Sequence, residues 1–135
     1  MPATTAEETH RLWTDAFKRG DLEALVDLFE DDAVFLAQPG EQPVRGTAAI
    51  REAIRAFLGM NGTFDMERTE LITGDDVAVV FATWTLKGAS DPEGNPIDLA
   101  GQTTDVVRRQ PDGSWRFAID NPWGVQAFVA ALPPG

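Results

Sequence analysis

The chain of 135 residues has no cysteine and no tyrosine, a single histidine, and 11 basic residues against 22 acidic ones. Without cysteine there are no disulfides, no thiolate zinc sites and no cysteine nucleophile. One imidazole argues against the multi-histidine sites of zinc and non-haem iron. The acidic pairs Asp31-Asp32 and Asp75-Asp76 read as turn residues rather than a cage for magnesium or calcium, so no metal is expected. A net charge of −11 and a pI near 4.3 disfavour nucleic acid and anionic lipid, whose binding relies on Lys and Arg. The acids are scattered along expected outer faces, so they aid solubility without implying a cationic ligand. No apolar run approaches the roughly twenty residues of a membrane span. The segment Met1–Glu8 lacks the basic start and apolar stretch of a secretory leader. A cytoplasmic location is the default expectation.

What remains describes an ordinary globule: 43% hydrophobic residues, a mean hydropathy of −0.19, and no repeat, low-complexity segment or linker. The length suits one domain, residues 1–135, with a single core. Thr5-Ala-Glu-Glu8 reads as a capping box opening a first helix with the apolar stripe Leu12, Trp13, Ala16 and Phe17, ended by Gly20. Asp21 caps a second helix carrying Leu22, Leu25, Val26 and Phe29. Asp31–Ala37 gives a short strand, followed by a loop over Gln38–Pro43. Thr47 caps a third helix with Ile50, Ala53, Ile54, Phe57 and Leu58 inward, and Gly59 stops it.

Everything after residue 62 reads as sheet. Thr63–Thr73 is a strand, Gly74-Asp75-Asp76 a turn, and Val77–Lys87 a long strand that is apolar on both faces. Two apolar faces need two covers, helices on one and a second subunit on the other. A loop over Gly88–Pro96 leads to a strand from Ile97 to Arg109, and the turn Pro111-Asp112-Gly113 to a last strand. Three helices followed by a long, mostly antiparallel sheet define an α+β fold.

Few residues here can carry chemistry. Period-two alternation puts Leu99, Gly101, Thr103, Asp105 and Val107 on one face. A mid-strand carboxyl runs against propensity. On the inner face, desolvation favours its protonated, hydrogen-bond-donating form; on the outer face it would pair with Arg108 or Arg116. The same alternation places Trp115, Phe117 and Ile119 on one face with Asn121 and Trp123. The Asn121 amide either closes a bulge made with Pro122 or points into a cavity and contacts a ligand. Asp120 has the wrong parity for the cavity unless Pro122 creates a bulge, and Asp15 points away from the Trp13 stripe. His10 is expected at the solvent or the rim. Trp13, Trp84 and Trp123 face inward, as core or as the walls of a flat, apolar ligand cavity.

The stretches RGDLEALVDLFEDDAVF, PVRGTAAIREAI and DGSWRFAIDNPWG resemble the nuclear-transport-factor-2-like superfamily, and within it the ketosteroid isomerase and SnoaL-like polyketide cyclase branch. The resemblance spans nearly the whole chain. It implies a cone-shaped α+β barrel, a curved sheet wrapped on three helices, and a homodimer through the sheet's outer face. Carried over by position, the isomerase's general base falls on Ala37, which cannot accept a proton. Its oxyanion-hole tyrosine falls on Trp13, which offers an indole N–H. Its protonated aspartate, the ketosteroid isomerase case that serves as a general illustration of a carboxyl held neutral, falls on Asp105.

Residues and resemblance together predict a pocket between the first helix, the third helix and the inner sheet face, lined by Phe17, Phe35, Phe57, Trp84, Thr103 and Trp123. Asp105, Asn121 and Trp13 are its candidate catalytic residues. The expected ligand is a small apolar cyclic or polyketide-like compound, and the expected chemistry is cofactor-independent, enolate-stabilising isomerisation or cyclisation. The alternative is a non-catalytic accessory protein that binds such a ligand.

Overall fold

The computed structural model describes residues 2–125. Its first helix, α1 (Glu8–Arg19), opens on two reciprocal bonds: the Glu8 N–H donates to Thr5 Oγ1 (3.3 Å), and the Thr4 N–H donates to Glu8 Oε1 (3.0 Å). Only the Thr5 half of the expected Thr5–Glu8 capping box is made: Glu8 returns to the Thr4 N–H instead, and the cap position itself, Glu7, has no side-chain capping bond. Gly20 ends the helix at φ 68°, its N–H on Phe17 O (3.0 Å) and the next N–H, from Asp21, on Ala16 O (2.9 Å). This left-handed closure satisfies two terminal carbonyls and is open to glycine without strain.

Asp21 then accepts the Ala24 N–H at 3.1 Å and starts α2 (Leu22–Val26). That helix is shorter than its apolar spacing suggested. Phe29, expected on its stripe, instead begins β1 (Phe29–Phe35), where it is buried. The expected loop after β1 returns as a two-residue strand, β2 (Val44–Arg45). In α3 (Thr47–Leu58) the cap position belongs to Gly46 at φ 90°, and no side chain makes a capping bond. Thr47 is already helical, so its hydroxyl is not placed to serve the N–H groups ahead of it. Gly59 follows the helix in a right-handed conformation, and the left-handed residue is Asn61 (φ 57°).

The rest is sheet: β3 (Thr63–Thr73), β4 (Val77–Ser90), β5 (Pro96–Arg109) and β6 (Trp115–Asp120). β4 outruns its expected end because Gly88, at φ 68°, makes a bulge between Leu86 and Ala89 instead of opening the loop. Residues 126–135, included in the stretch read as sheet, lie outside the described residues. The strand order is β2-β1-β6-β5-β4-β3, antiparallel throughout except for the parallel pair β1–β6. The fold is α+β, with a curved, open, mixed sheet. Among the described residues β2 and β3 are the outermost strands, and the architecture agrees with the cone of curved sheet on helices that the resemblance implied.

The helices α1 and α3 pack on one face of this sheet, through β3 and β6 and through β1 and β2 respectively. On β4 the residues Ala78, Val80, Ala82, Trp84 and Leu86 are buried, while Val77 and Thr83 on the opposite face are exposed. On β5 the buried set is Gly101, Thr103, Asp105 and Val107, the face that alternation grouped. The last strand does not keep its alternation. Val107 pairs with Phe117 but Val106 pairs with Ile119, so β6 carries one extra residue, Ala118, against β5. This bulge reverses parity beyond it. Ile119, expected inward beside Phe117, is 45% exposed, and Asp120 is turned in and buried.

Candidate active site

Between the helices and the inner sheet face lies a cavity of about 40 Å³ whose walls are mostly aromatic: Trp13, Phe35, Phe57, Phe64, Trp84, Phe117 and Trp123. Each wall residue arrives by a different route. Trp13 comes from α1, Phe35 from β1, Phe57 from α3, Phe64 from β3 and Trp84 from β4, so no local sequence pattern assembles the site. Two of the indoles are pinned by their N–H groups: Trp84 Nε1 donates to Pro122 O at 2.7 Å and Trp123 Nε1 to Ala37 O at 3.0 Å. The rings of Trp84 and Trp123 meet edge to face at 5.2 Å. Trp13 also lines the cavity, and its N–H has no partner among the described residues.

Of the residues expected here, Trp13, Phe35, Phe57, Trp84, Thr103, Asp105 and Trp123 line the cavity, together with Ala37. Phe17 stands behind the wall, its ring 5.4 Å from Phe57 and 4.9 Å from Phe64. Asn121 does not line the cavity. Its Oδ1 accepts the Gly124 N–H at 3.0 Å and its Nδ2 donates to Gly124 O at 3.3 Å, so the amide closes the turn after β6. The ligand-contacting alternative for Asn121 is thus set aside in favour of the structural one, and only its backbone N–H serves the site.

The polar end of the cavity is built around Asp105, which is 2% exposed. Its Oδ1 accepts the Asn121 N–H at 2.8 Å and lies 2.7 Å from Thr103 Oγ1. Thr103 Oγ1 is also 3.1 Å from Asn121 O, but a hydroxyl has one proton and the shorter contact takes it. The Asp105 Oδ2 lies 2.6 Å from His10 Nε2. Three donors on two oxygens are what a carboxylate wants when it is taken out of water. Neither Arg108, which pairs with Glu30, nor Arg116 bonds Asp105, so the outer-face pairing does not occur.

His10 corrects the sequence reading. It is 2% exposed, stacked on Phe117 at 6.0 Å, and bonded to a residue 95 positions away. The misreading came from centring the helical stripe on Leu12. Thr9, His10, Trp13, Ala16 and Phe17 are the buried residues of α1, and His10, Trp13 and Phe17 stand at i, i+3 and i+7. That spacing was available in the sequence.

Asp120 is the other residue missed. The Ala118 bulge places it in the cavity wall within hydrogen-bonding reach of Asp105. Burial first, and the neighbouring Asp105 second, push its carboxyl well above the ordinary range. Two carboxyl groups side by side in an apolar cavity cannot both ionise cheaply, so the pair retains a proton. Among the described residues no group of three His, Asp or Glu side chains is arranged to hold a metal ion. No helix among them is long and apolar enough to cross a membrane.

The fold has counterparts in solved structures. A protein provisionally named a calcium/calmodulin-dependent protein kinase II association domain, from Xanthomonas campestris, superposes with a TM-score of 0.71 at 21% identity over 85% of this chain and 81% of its own. A ketosteroid isomerase-like protein from Erwinia carotovora atroseptica gives 0.68 at 21% identity, covering 84% and 88%. An NTF-2-like protein of unknown function from Shewanella oneidensis gives 0.67 at 18%, covering 84% and 92%. At these identities the likeness is one of fold. The class is the NTF2-like α+β fold, a curved sheet closing over an internal pocket. Within it the chain belongs to the SnoaL-like domain family, whose model matches residues 10–118. No curated protein matches the sequence.

Proposed function

We propose that this protein is an acid–base isomerase or cyclase acting on a small, neutral, largely apolar carbonyl compound, with the carboxyl pair Asp105–Asp120 as its catalytic unit. The observation that carries the reading is the pair itself: two buried carboxyls in contact at the polar end of an aromatic cavity. Asp120, which keeps its proton, takes the hydrogen-bond-donor role that the resemblance implied for Asp105. It donates to the carbonyl oxygen of the bound ligand. As a C–H bond next to that carbonyl breaks, its proton goes to the Asp105 carboxylate and its electron pair moves into the enolate, whose oxygen Asp120 stabilises. Return of the proton from Asp105 to another carbon completes an isomerisation with no net loss or gain. Trp13, which lines the cavity and whose N–H has no partner among the described residues, is the second donor.

Ligand class follows from the lining. Among the described residues no Lys or Arg borders the cavity, so an anionic ligand would meet two carboxyls and no compensating charge from them. A cavity of about 40 Å³ holds roughly three waters, so a ring-sized ligand needs the aromatic walls to part. The test is enolisation itself: exchange of the α-hydrogens of cyclopentanone and cyclohexenone for deuterium, followed by proton NMR. Exchange by the wild type that Asp120→Asn and Asp105→Asn each lower about 100-fold or more supports the reading. Binding without exchange by any of the three proteins refutes it in favour of the accessory ligand-binding role.

The same reading includes a homodimer and a cytoplasmic location. Supporting the dimer, the outer face of β4 and β5 forms a shallow concavity whose lining includes Phe81, Thr83, Gln102, Thr104 and Val125, and Val77 and Ile119 are exposed large apolar residues.

A further inference from the structure

We infer that His10 is a positioning residue of this site, held as the neutral Nε2–H tautomer, and that its bond to Asp105 keeps the pair's remaining proton on Asp120. The inference deepens the acid–base reading above and rests on it for its catalytic consequence.

The argument starts from the ring's second nitrogen. His10 Nδ1 is buried and has no hydrogen-bond partner among the described residues, while Nε2 lies 2.6 Å from Asp105 Oδ2. Three protonation states are possible. An imidazolium would bury an unsatisfied N–H donor on a charged ring. The Nδ1–H tautomer would do the same on a neutral ring, and would also require Asp105 to carry a proton on Oδ2. The Nε2–H tautomer leaves only a lone pair unmatched, which is the least costly of the three. In that state Nε2–H is a donor, and Asp105 receives three: His10, the Thr103 hydroxyl and the Asn121 N–H.

Each donor favours charge on Asp105 over charge on Asp120, whose carboxyl has no donor among the described residues besides its neighbour. The Thr103 bond comes from β5 and the Asn121 bond from the turn that follows β6. His10 is the one donor supplied by a helix, so packing of α1 on the sheet is coupled to the distribution of the proton. Among the described residues the charged and titratable groups around the ring are few. Asp105 and Asp120 face it from β5 and β6. On its outer side a groove shared with β3 holds Glu7, Arg11 and Asp15, and Arg11 is paired with Glu8 and Asp15.

His10 is the chain's one histidine, so its ring nitrogens are assigned without ambiguity in uniformly 15N-labelled protein. Long-range proton–nitrogen correlation near pH 7 should show a protonated Nε2 and a bare Nδ1. An imidazolium or an Nδ1–H signature overturns the proposal. Infrared titration of the buried carboxyls provides the second readout, the protonated band being identified by its loss in Asp120→Asn. His10→Leu should raise the acid-side midpoint of the pair by about one pH unit or more, since a donor to a carboxylate is gone. His10→Gln, which keeps an N–H in reach, should return it most of the way. A folded His10→Leu that titrates like wild type refutes the positioning role. Should His10→Leu not fold, the tautomer and the His10→Gln titration decide. Neither readout needs turnover, so absence of enolisation would reject the acid–base reading while leaving this one to stand or fall separately.

Discussion

Gly101→Ala should be among the most damaging single-methyl changes this protein can suffer. Gly101 is the cross-strand partner of Trp84, and the indole lies over the space where a side chain would be. A Cβ at position 101 would sit 2.6 Å from Pro122 O, 2.6 Å from Trp84 Nε1 and 2.8 Å from Trp84 Cε2. The Trp84 indole has little freedom to retreat. It is 3% exposed and wedged among Phe57 (5.8 Å), Phe64 (6.0 Å) and Trp123 (5.2 Å). Overpacking of this kind costs about 1–3 kcal/mol. Separating Trp84 Nε1 from Pro122 O strands an indole N–H and adds about 1–2 kcal/mol. The sum, about 3 kcal/mol, is a large part of a typical stability of about 5–15 kcal/mol. With a urea slope of about 2 kcal/mol per M, the midpoint should fall by roughly 1.5 M. Tryptophan fluorescence reads both the transition and the altered Trp84 environment. Gly113→Ala is the control, since its φ is 87° but nothing lies within 4 Å of the added carbon. It should lose only the backbone term, about 1 kcal/mol. If Gly101→Ala unfolds within about 0.5 kcal/mol of wild type, the packing of Trp84 over Gly101 is wrong.

Three further expectations concern charge, caps and assembly. Asp120 has a folded-state carboxyl raised by burial and by Asp105, so its contribution to stability is full below the ordinary carboxyl range near ~3.9 and is lost as pH rises through its folded value. Asp120→Asn should therefore flatten the decline in urea midpoint with rising pH and be more stable than wild type at neutral pH; an unchanged slope contradicts the assigned protonation. Asp21→Ala should cost about 1 kcal/mol because Asp21 caps α2, whereas Thr47→Ala should stay within about 0.5 kcal/mol because Gly46 holds that cap position. Sedimentation should show a dimer at micromolar concentration that Phe81→Glu dissociates, and a stable wild-type monomer would reject the outer-face interface.

Local chemistry made some elements plain from the residues alone. The bounds of β3, the left-handed stop at Gly20 and the Asp21 cap are decided by turn and cap geometry within a few residues. The inner face of β5 followed from alternation, because β5 keeps an unbroken pleat through Asp105. Trp13, Trp84 and Trp123 could be grouped because large aromatics on inward faces have one place to go. The family was legible in three stretches of sequence, and the fold came with it.

The proposed catalytic constellation belongs to the tertiary structure. A single extra residue at Ala118 exchanges Ile119 and Asp120 between faces. No composition or spacing marks it, because its cause is the match of β6 to β5 and β1 at once. Asn121 looked like a cavity residue by parity and became a turn residue for the same reason. His10 could be placed on the buried stripe of α1 by its spacing to Trp13 and Phe17, yet its partner is 95 residues distant and known only once the helix lies on the sheet. Periodicity is a property of one element and sequence can carry it; which two faces meet, and which carboxyls then share a proton, depends on registers between elements that only packing fixes.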